Sequence, residues 1–222
     1  MVYYPLSLTR SCVFCAAPSH ADICADCDRE LPRITAACRW CGIPFEGGEL
    51  CGDCLTDPPA FARCIAPLRY EAPVSHLLGA FKYRGNLSYG RILSELLIER
   101  LRQEPFEVDT IVPVPLHWRR RWRRGFNQAE LIADELSRAL DLPMQTRWLR
   151  RTRSSPPQQS LAAEARGKNL RDAFCCDNKV RDLHIAVVDD VVTTGATANA
   201  IARCLLAAGA ASVEIWCLAR TP

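Results

Sequence analysis

Four C-x-x-C pairs in the first quarter of this 222-residue chain most constrain what it can fold into. The pairs are Cys12/Cys15, Cys24/Cys27, Cys38/Cys41 and Cys51/Cys54. Two residues between cysteines make a tight turn that aims both sulfurs at one ion, and two such turns complete a tetrahedral site of four sulfurs. A secreted disulfide framework would require a secretory signal, and the first eleven residues lack its charged-then-apolar pattern. We therefore expect metal ligands in a reducing cytoplasm.

The simplest pairing is sequential, because the gaps between successive pairs have similar lengths of 8, 10 and 9 residues. The first four cysteines then bind one structural Zn²⁺ and the last four a second, although spacing alone leaves nested or crossed pairings open. Redox-active dithiols and an iron–sulfur cluster are the alternatives, and two complete four-ligand units favour zinc. Residues 1–57 are predicted to form a double zinc ribbon, with the linker at Asp57-Pro58-Pro59. The unpaired cysteines are predicted to be small buried apolar residues: Cys64, Cys175, Cys176, Cys204 and Cys217.

Residues 58–222 show alternating helix and strand patterns, which predict an α/β fold with a parallel sheet. The expected helices cover 74–84, 88–102, 127–140 and 198–208, and the expected strands cover 110–115, 185–188 and 213–218. Asn127 is the predicted N-cap of its helix, with Glu130 three residues later. A net charge of +3 is too small to indicate a general polyanion binder, and no apolar run reaches the 18 residues of a membrane span. We expect a soluble, cytoplasmic protein.

The segment Ala186–Thr197 carries the chemistry. An apolar strand delivers Asp189 and Asp190 at its carboxyl end, where open α/β sheets place ligands. A loop with three threonines and a glycine leads into a helix N-terminus, and its hydroxyl and backbone N–H groups can bind phosphate. The carboxylates can accept hydrogen bonds from a sugar diol. The pattern therefore predicts a sugar phosphate ligand, with Thr193, Thr194, Gly195, Ala196 and Thr197 at the phosphate. The structural alternative is that the threonines and the glycine only form the turn and that Asp190 caps the helix.

This run resembles the phosphoribosyl pyrophosphate (PRPP) signature of type I phosphoribosyltransferases, in which the acidic pair binds the ribose hydroxyls and the loop binds the 5′-phosphate. More of the chain resembles one branch, the ComF family (competence protein F), in which a double zinc ribbon precedes a transferase domain at 58–222. The shared motifs are Phe81–Gly85, Val112–Leu116, Arg124–Gln128 and the spaced residues Gln158, Leu161, Arg166, Asn169, Ala173 and Phe174.

The resemblance implies Mg²⁺-dependent transfer of the phosphoribosyl group to an unidentified acceptor. It places the pyrophosphate loop after Pro115, where Arg120 and Arg124 are the candidate contacts, since the guanidinium fork suits phosphate oxygens. It also implies that a loop over Arg150–Arg171, with Gln158 and Arg166, is a hood that closes over PRPP. Purine-salvage members carry an aspartate at the position of Thr193, so the resemblance does not imply a purine-base acceptor.

Two alternatives to an enzyme remain open: a PRPP-sensing protein without transfer chemistry and a protein that handles single-stranded DNA. Trp118 and Trp122 interleave the arginines, as in a single-stranded nucleic-acid groove, and the ComF family is associated with natural competence and DNA uptake. His76 and His184 are predicted to be structural, whereas His117 lies in the expected pyrophosphate loop. The oligomeric state is left open.

Overall fold

The computed structural model describes residues 10–116, 125–152 and 173–222. The amino-terminal part consists of two similar small units with little regular structure. In the first, strands β1 (Arg10–Ser11) and β2 (Pro18–Ser19) pair antiparallel, and a short helix α1 (Ala25–Arg29) follows. In the second, the short helix α2 (Gly52–Thr56) lies at the equivalent position. Each short helix begins directly after the first cysteine of its second C-x-x-C pair.

A parallel sheet forms the centre of the remaining chain. Its strands are β3 (Arg63–Ile65), β4 (Leu68–Arg69), β5 (Thr110–Pro113), β8 (His184–Val192) and β9 (Ser212–Arg220). The order is β3-β9-β8-β5, all neighbours are parallel, and β4 also pairs with β9. The two central strands, β8 and β9, each have six apolar residues among nine, as expected for strands covered on both faces.

Helices cover both faces of the sheet. Three of them, α3 (Val74–Arg84), α4 (Leu87–Arg102) and α5 (Gln128–Leu140), pack with Ala186, Val188 and Trp216. Helix α6 (Ala196–Ala207) packs on the opposite face, against Val187 and Ile215. Alternation along β8 and β9 thus divides the core into two layers. The predicted α/β class with a parallel sheet flanked by helices is confirmed.

The predicted cap of α5 is confirmed. The Asn127 side-chain oxygen accepts from the backbone N–H of Ala129 at 3.2 Å, and its amide nitrogen donates to the Val114 carbonyl at 3.0 Å. The second bond links the start of α5 to the chain leaving β5. One polar side chain therefore both begins the helix and fixes it against the sheet edge.

Several predictions from the sequence need correction. Strand β8 does not end at Val188 but runs to Val192, because its pairing with β9 continues through the acidic residues. Strands β3 and β4 lie where none was predicted. A further antiparallel pair joins β6 (Leu149–Arg151) to β7 (Phe174–Cys176), so Arg150 and Arg151, predicted to belong to the hood loop, lie in a strand. Residues 153–172 of that predicted loop lie outside the described residues.

The prediction of five small buried apolar cysteines holds for Cys64 and Cys217, which are buried in neighbouring strands. It is wrong for the other three. Cys176 in β7 and Cys204 in α6 form a disulfide, and Cys175 is exposed. Among the described residues, no helix is both long enough and apolar enough to cross a bilayer.

Candidate functional site

The eight amino-terminal cysteines form two separate clusters, and the sequential pairing is confirmed. In each cluster the four sulfurs lie within 4.8 Å of one another. The first contains Cys12, Cys15, Cys24 and Cys27, and the second contains Cys38, Cys41, Cys51 and Cys54. Four thiolates at this separation are the donor set that tetrahedral Zn²⁺ prefers in structural sites.

The same backbone hydrogen bond recurs in both clusters. The N–H of Cys24 donates to the Cys12 sulfur at 3.3 Å, and the N–H of Cys51 donates to the Cys38 sulfur at 3.4 Å. Burial alone would raise the pKa of the Cys12 and Cys38 thiols, but backbone N–H donors overcome it and lower both pKa values to about 6. Each cluster thus holds one sulfur as a thiolate, the form that binds metal.

The acidic pair lies two residues before the end of β8. Asp190 faces the three-helix layer, where its Oδ1 is 2.9 Å from the Nζ of Lys82 in α3. Both side chains are largely buried, and the Lys82 ammonium also lies 5.9 Å from the centre of the Tyr70 ring. Burial lowers the pKa of Lys82, but the charge of Asp190 outweighs it and the net pKa is raised. The pair is therefore ionic.

Asp189 lies beside Cys217 of β9 and accepts from the backbone N–H of Asp190 at 2.8 Å. Burial raises its pKa to about 7, with a further contribution from the charge of Asp190. Lys82 and Arg151 act in the opposite direction. Asp189 is consequently close to half-protonated at neutral pH, and an added cation or hydrogen-bond donor shifts it toward the anion.

The loop between β8 and α6 presents backbone N–H groups. Gly195 has φ of 75°, a left-handed conformation that favours glycine, and it is the N-cap of α6. Within the described chain, no hydrogen-bond partner is found for the backbone N–H of Thr193, Thr194, Gly195, Thr197 or Ala198. The Thr194 hydroxyl accepts from the N–H of Ala196 at 3.4 Å. Clustered free N–H groups at a helix N-terminus form an anion site.

Two basic residues at this site were not predicted as functional. Lys82 belongs to the recognised Phe81–Gly85 motif, but that motif gave no indication of its acidic partner on β8. Arg220, at the end of β9, is 5% exposed and donates to the backbone carbonyls of Val192 and Thr193. No sequence pattern singles it out.

Other predicted contacts lie outside the described residues: Arg120, Arg124, Gln158, Arg166 and His117. Phe126, which closely follows the undescribed residues 117–124, packs on α3, with its ring centroid 6.0 Å from that of Phe81. His184 has a structural partner, since its Nδ1 lies 2.7 Å from the Ser212 hydroxyl oxygen.

Comparison with known proteins finds one domain family for the amino-terminal part of the chain and another for the carboxyl-terminal part. Residues 3–55 match the double zinc ribbon domain, and residues 89–222 match the phosphoribosyl transferase domain. The chain is 38% identical to the DNA utilization protein YhgH of Escherichia coli strain K12, over 97% of this chain and 99% of that protein. It is 32% identical to competence protein F of Haemophilus influenzae, over 94% and 96% of the two chains. Competence protein ComFC of Bacillus subtilis is 29% identical over 90% and 84%. This chain belongs to the ComF family, in which a double zinc ribbon is followed by a phosphoribosyl transferase domain.

Proposed function

We propose that the chain binds PRPP, with the ribose hydroxyls on Asp189 and Asp190 and the 5′-phosphate on residues 193–197. The observation that carries the proposal is the position of two carboxylates at one end of β8, followed by five backbone N–H groups that have no partner among the described residues. A sugar phosphate has the matching parts, since its hydroxyls donate to carboxylates and its phosphate accepts from N–H groups.

We further propose that the bound PRPP reacts by transfer of its phosphoribosyl group to an acceptor nucleophile. The bond between the anomeric carbon and pyrophosphate breaks, the acceptor forms a new bond to that carbon, and the pyrophosphate keeps the electron pair. Arg120, Arg124 and Mg²⁺ would stabilise the charge on the pyrophosphate. The carboxylates of β8 would stabilise the positive charge that develops on the ribose ring.

Binding is tested by calorimetric titration with Mg²⁺–PRPP. We expect saturable binding to the wild type and at least a hundredfold loss for the double variant Asp189→Asn/Asp190→Asn, because amides replace the carboxylates at nearly constant volume. Glu107→Gln, which removes an exposed carboxylate near the other end of the sheet, is the control and should bind like the wild type. Equal affinity in the double variant would contradict the assignment of the diol.

Catalysis is tested separately by pyrophosphate release from PRPP across a panel of amines and nucleobases. Acceptor-dependent release that the double variant abolishes identifies a transferase. Tight PRPP binding without release across the panel would favour the PRPP-sensing alternative. The titration tests PRPP binding and the release assay tests phosphoribosyl transfer, so each of the two proposals can be refuted independently.

The relatives are named for DNA utilization and competence, and on that basis we propose a role in DNA use for this chain. If the chain itself binds single-stranded DNA, the affinity should fall steeply with salt, because arginines displace condensed counterions. Arg120→Ala should reduce both the affinity and the salt dependence. If single-stranded DNA affinity does not depend on salt, the role in DNA use would instead depend on PRPP chemistry or on another protein.

We also propose a domain boundary at residue 57. Helix α2 ends at Thr56, whereas β3, the first strand of the central sheet, begins at Arg63. A cytoplasmic location fits eight cysteines that must stay reduced to bind zinc. Limited proteolysis should cut first near Asp57-Pro58-Pro59 once chelator has removed the zinc.

A further inference from the structure

We infer that Arg220 is a positioning residue that couples the second zinc ribbon to the phosphate loop. This inference rests on the proposed binding of a sugar phosphate at residues 193–197. It assigns the second ribbon a role in ligand binding, beyond holding its own fold, and it names the residue through which that role is exerted.

The contacts of Arg220 join three segments. Its Nε donates to the carbonyl of Cys41, a member of the second cysteine cluster, at 3.0 Å. Its Nη1 donates to the carbonyls of Val192, at 3.3 Å, and of Thr193. The same nitrogen donates to the Thr221 carbonyl at 2.8 Å. One guanidinium therefore bridges a proposed zinc ligand to the first residues of the phosphate loop.

The direction of these bonds orients the loop. In a trans peptide the C=O and N–H groups point in opposite directions. Because Arg220 holds the carbonyls of Val192 and Thr193, the following N–H groups, those of Thr193 and Thr194, face away from it. These are two of the five free donors of the anion site. Arg220 thus fixes the loop from behind, on the side opposite the ligand.

The charge of Arg220 supports the same role. Its side chain is buried, and in the described part of the chain its hydrogen-bond acceptors are all backbone carbonyls, with no salt bridge to a carboxylate. A buried cation without a counter-charge is costly. A phosphate bound on the opposite side of the loop would supply the missing negative charge.

The second ribbon packs against the central sheet next to Cys41, the residue that Arg220 contacts. Gly42, next to Cys41, has φ of 67°, and a Cβ there would lie 2.6 Å from the Cys64 carbonyl of β3. The turn of the ribbon therefore packs directly on the sheet edge. The first ribbon has a different neighbour: Val13 and Phe14 pack in the three-helix layer, and Asp22 pairs with Arg91 of α4 at 2.7 Å. It serves as an internal control.

The first test uses Arg220→Gln, which removes the charge and the bridging fork. We expect the affinity for ribose 5-phosphate and for Mg²⁺–PRPP to fall ten- to a hundredfold. Pyrophosphate, which lacks the sugar 5′-phosphate, should bind within twofold of the wild type, and elemental analysis should still give two zinc ions. An equal loss for all three ligands would indicate a general structural role and overturn the inference, as would unchanged affinity for ribose 5-phosphate.

The second test needs no variant and covers the case in which Arg220→Gln does not fold. The wild-type chain is alkylated with N-ethylmaleimide, with and without saturating ribose 5-phosphate, and the rate at each cysteine is followed by mass spectrometry. Because coupling is reciprocal, the ligand should slow alkylation of the second cluster severalfold and of the first less than twofold. Equal rates with and without ligand, or equal slowing of both clusters, would overturn the coupling. A wild type that binds neither ribose 5-phosphate nor PRPP would instead refute the proposed function.

Discussion

Replacement of Asp189 by asparagine is expected to stabilise the ligand-free protein at alkaline pH, although it damages the proposed site. Burial, assisted by the charge of Asp190, raises the pKa of Asp189 from 3.8 to about 7. Between these two values the folded state binds more protons than the unfolded state. Stability therefore falls as the pH rises through this window, and the loss is complete above pH 7.

The magnitude follows from the shift. A difference of about three pKa units corresponds to roughly 4 kcal/mol, which is the upper limit of the cost of ionised Asp189. At pH 8 we expect the free energy of unfolding of the Asp189→Asn variant to exceed that of the wild type by about 2 to 4 kcal/mol. The gain stays below the upper limit because burying the polar amide also costs free energy. At pH 5.5 this advantage should be smaller by about 2 kcal/mol, because Asp189 is then almost entirely protonated in the folded wild type.

Urea denaturation at the two pH values measures the effect, with tryptophan fluorescence as the signal and zinc in excess. Trp216 of β9 is fully buried in the core between the sheet and the three-helix layer, so its emission reports on the sheet that carries Asp189. Glu107→Gln again serves as the exposed control and should follow the wild type at both pH values. A variant less stable than the wild type at pH 8, or an advantage independent of pH, would refute the reasoning.

Four further outcomes follow from the structure. Lys82→Met should lower the free energy of unfolding by about 3 kcal/mol, because it leaves Asp190 buried without its cation. Adding Asp190→Asn should recover more than half of that loss, and additive losses in this double-mutant cycle would argue against the ion pair. Gly42→Ala should lower the melting temperature, because Gly42 has φ of 67° and lies in close contact with β3. Gly79→Ala, in open space within α3, should instead raise the free energy of unfolding by about 0.5 to 1 kcal/mol. Melting temperatures that change alike in the two variants would be inconsistent with the packing at Gly42. Elemental analysis should give two zinc ions per chain, and a count of zero or one would reject the double ribbon. Reduction of the disulfide should cost about 3 to 4 kcal/mol for its separation of 28 residues, and Cys204→Ser should abolish the effect of reductant on unfolding.

The features predictable from the sequence are those set by short-range spacing. Each C-x-x-C turn brings its own two sulfurs together, and the Asn127 cap lies two residues from the Ala129 N–H that donates to it. The apolar helix faces repeat over three or four residues. In each case the physical cause and its effect lie close together along the chain, so the pattern is visible without knowledge of the tertiary structure.

The features that escaped prediction depend on partners far along the chain. Strands β3 and β4 are three and two residues long and exist because β9, about 150 residues later, pairs with them. The same pairing extends β8 through Asp189 and Asp190, residue types that are otherwise depleted in strands. The disulfide joins Cys176 to Cys204 without any spacing signal, and cysteine connectivity is not readable from sequence.

The charges around the proposed site explain how acids and a phosphate can share it. Two ionised carboxylates beside a phosphate would repel it, yet the structure offsets both. Lys82 neutralises Asp190 at 2.9 Å, and Asp189 is close to half-protonated at neutral pH. Arg220 adds a buried positive charge behind the loop. Among the described residues, the positive charges of Lys82 and Arg220 therefore offset the acidic pair, and both carboxylates stay available as acceptors for the ribose hydroxyls in the proposed complex. Because the second ribbon holds Arg220 through Cys41, loss of its zinc should weaken this electrostatic balance as well as the local fold.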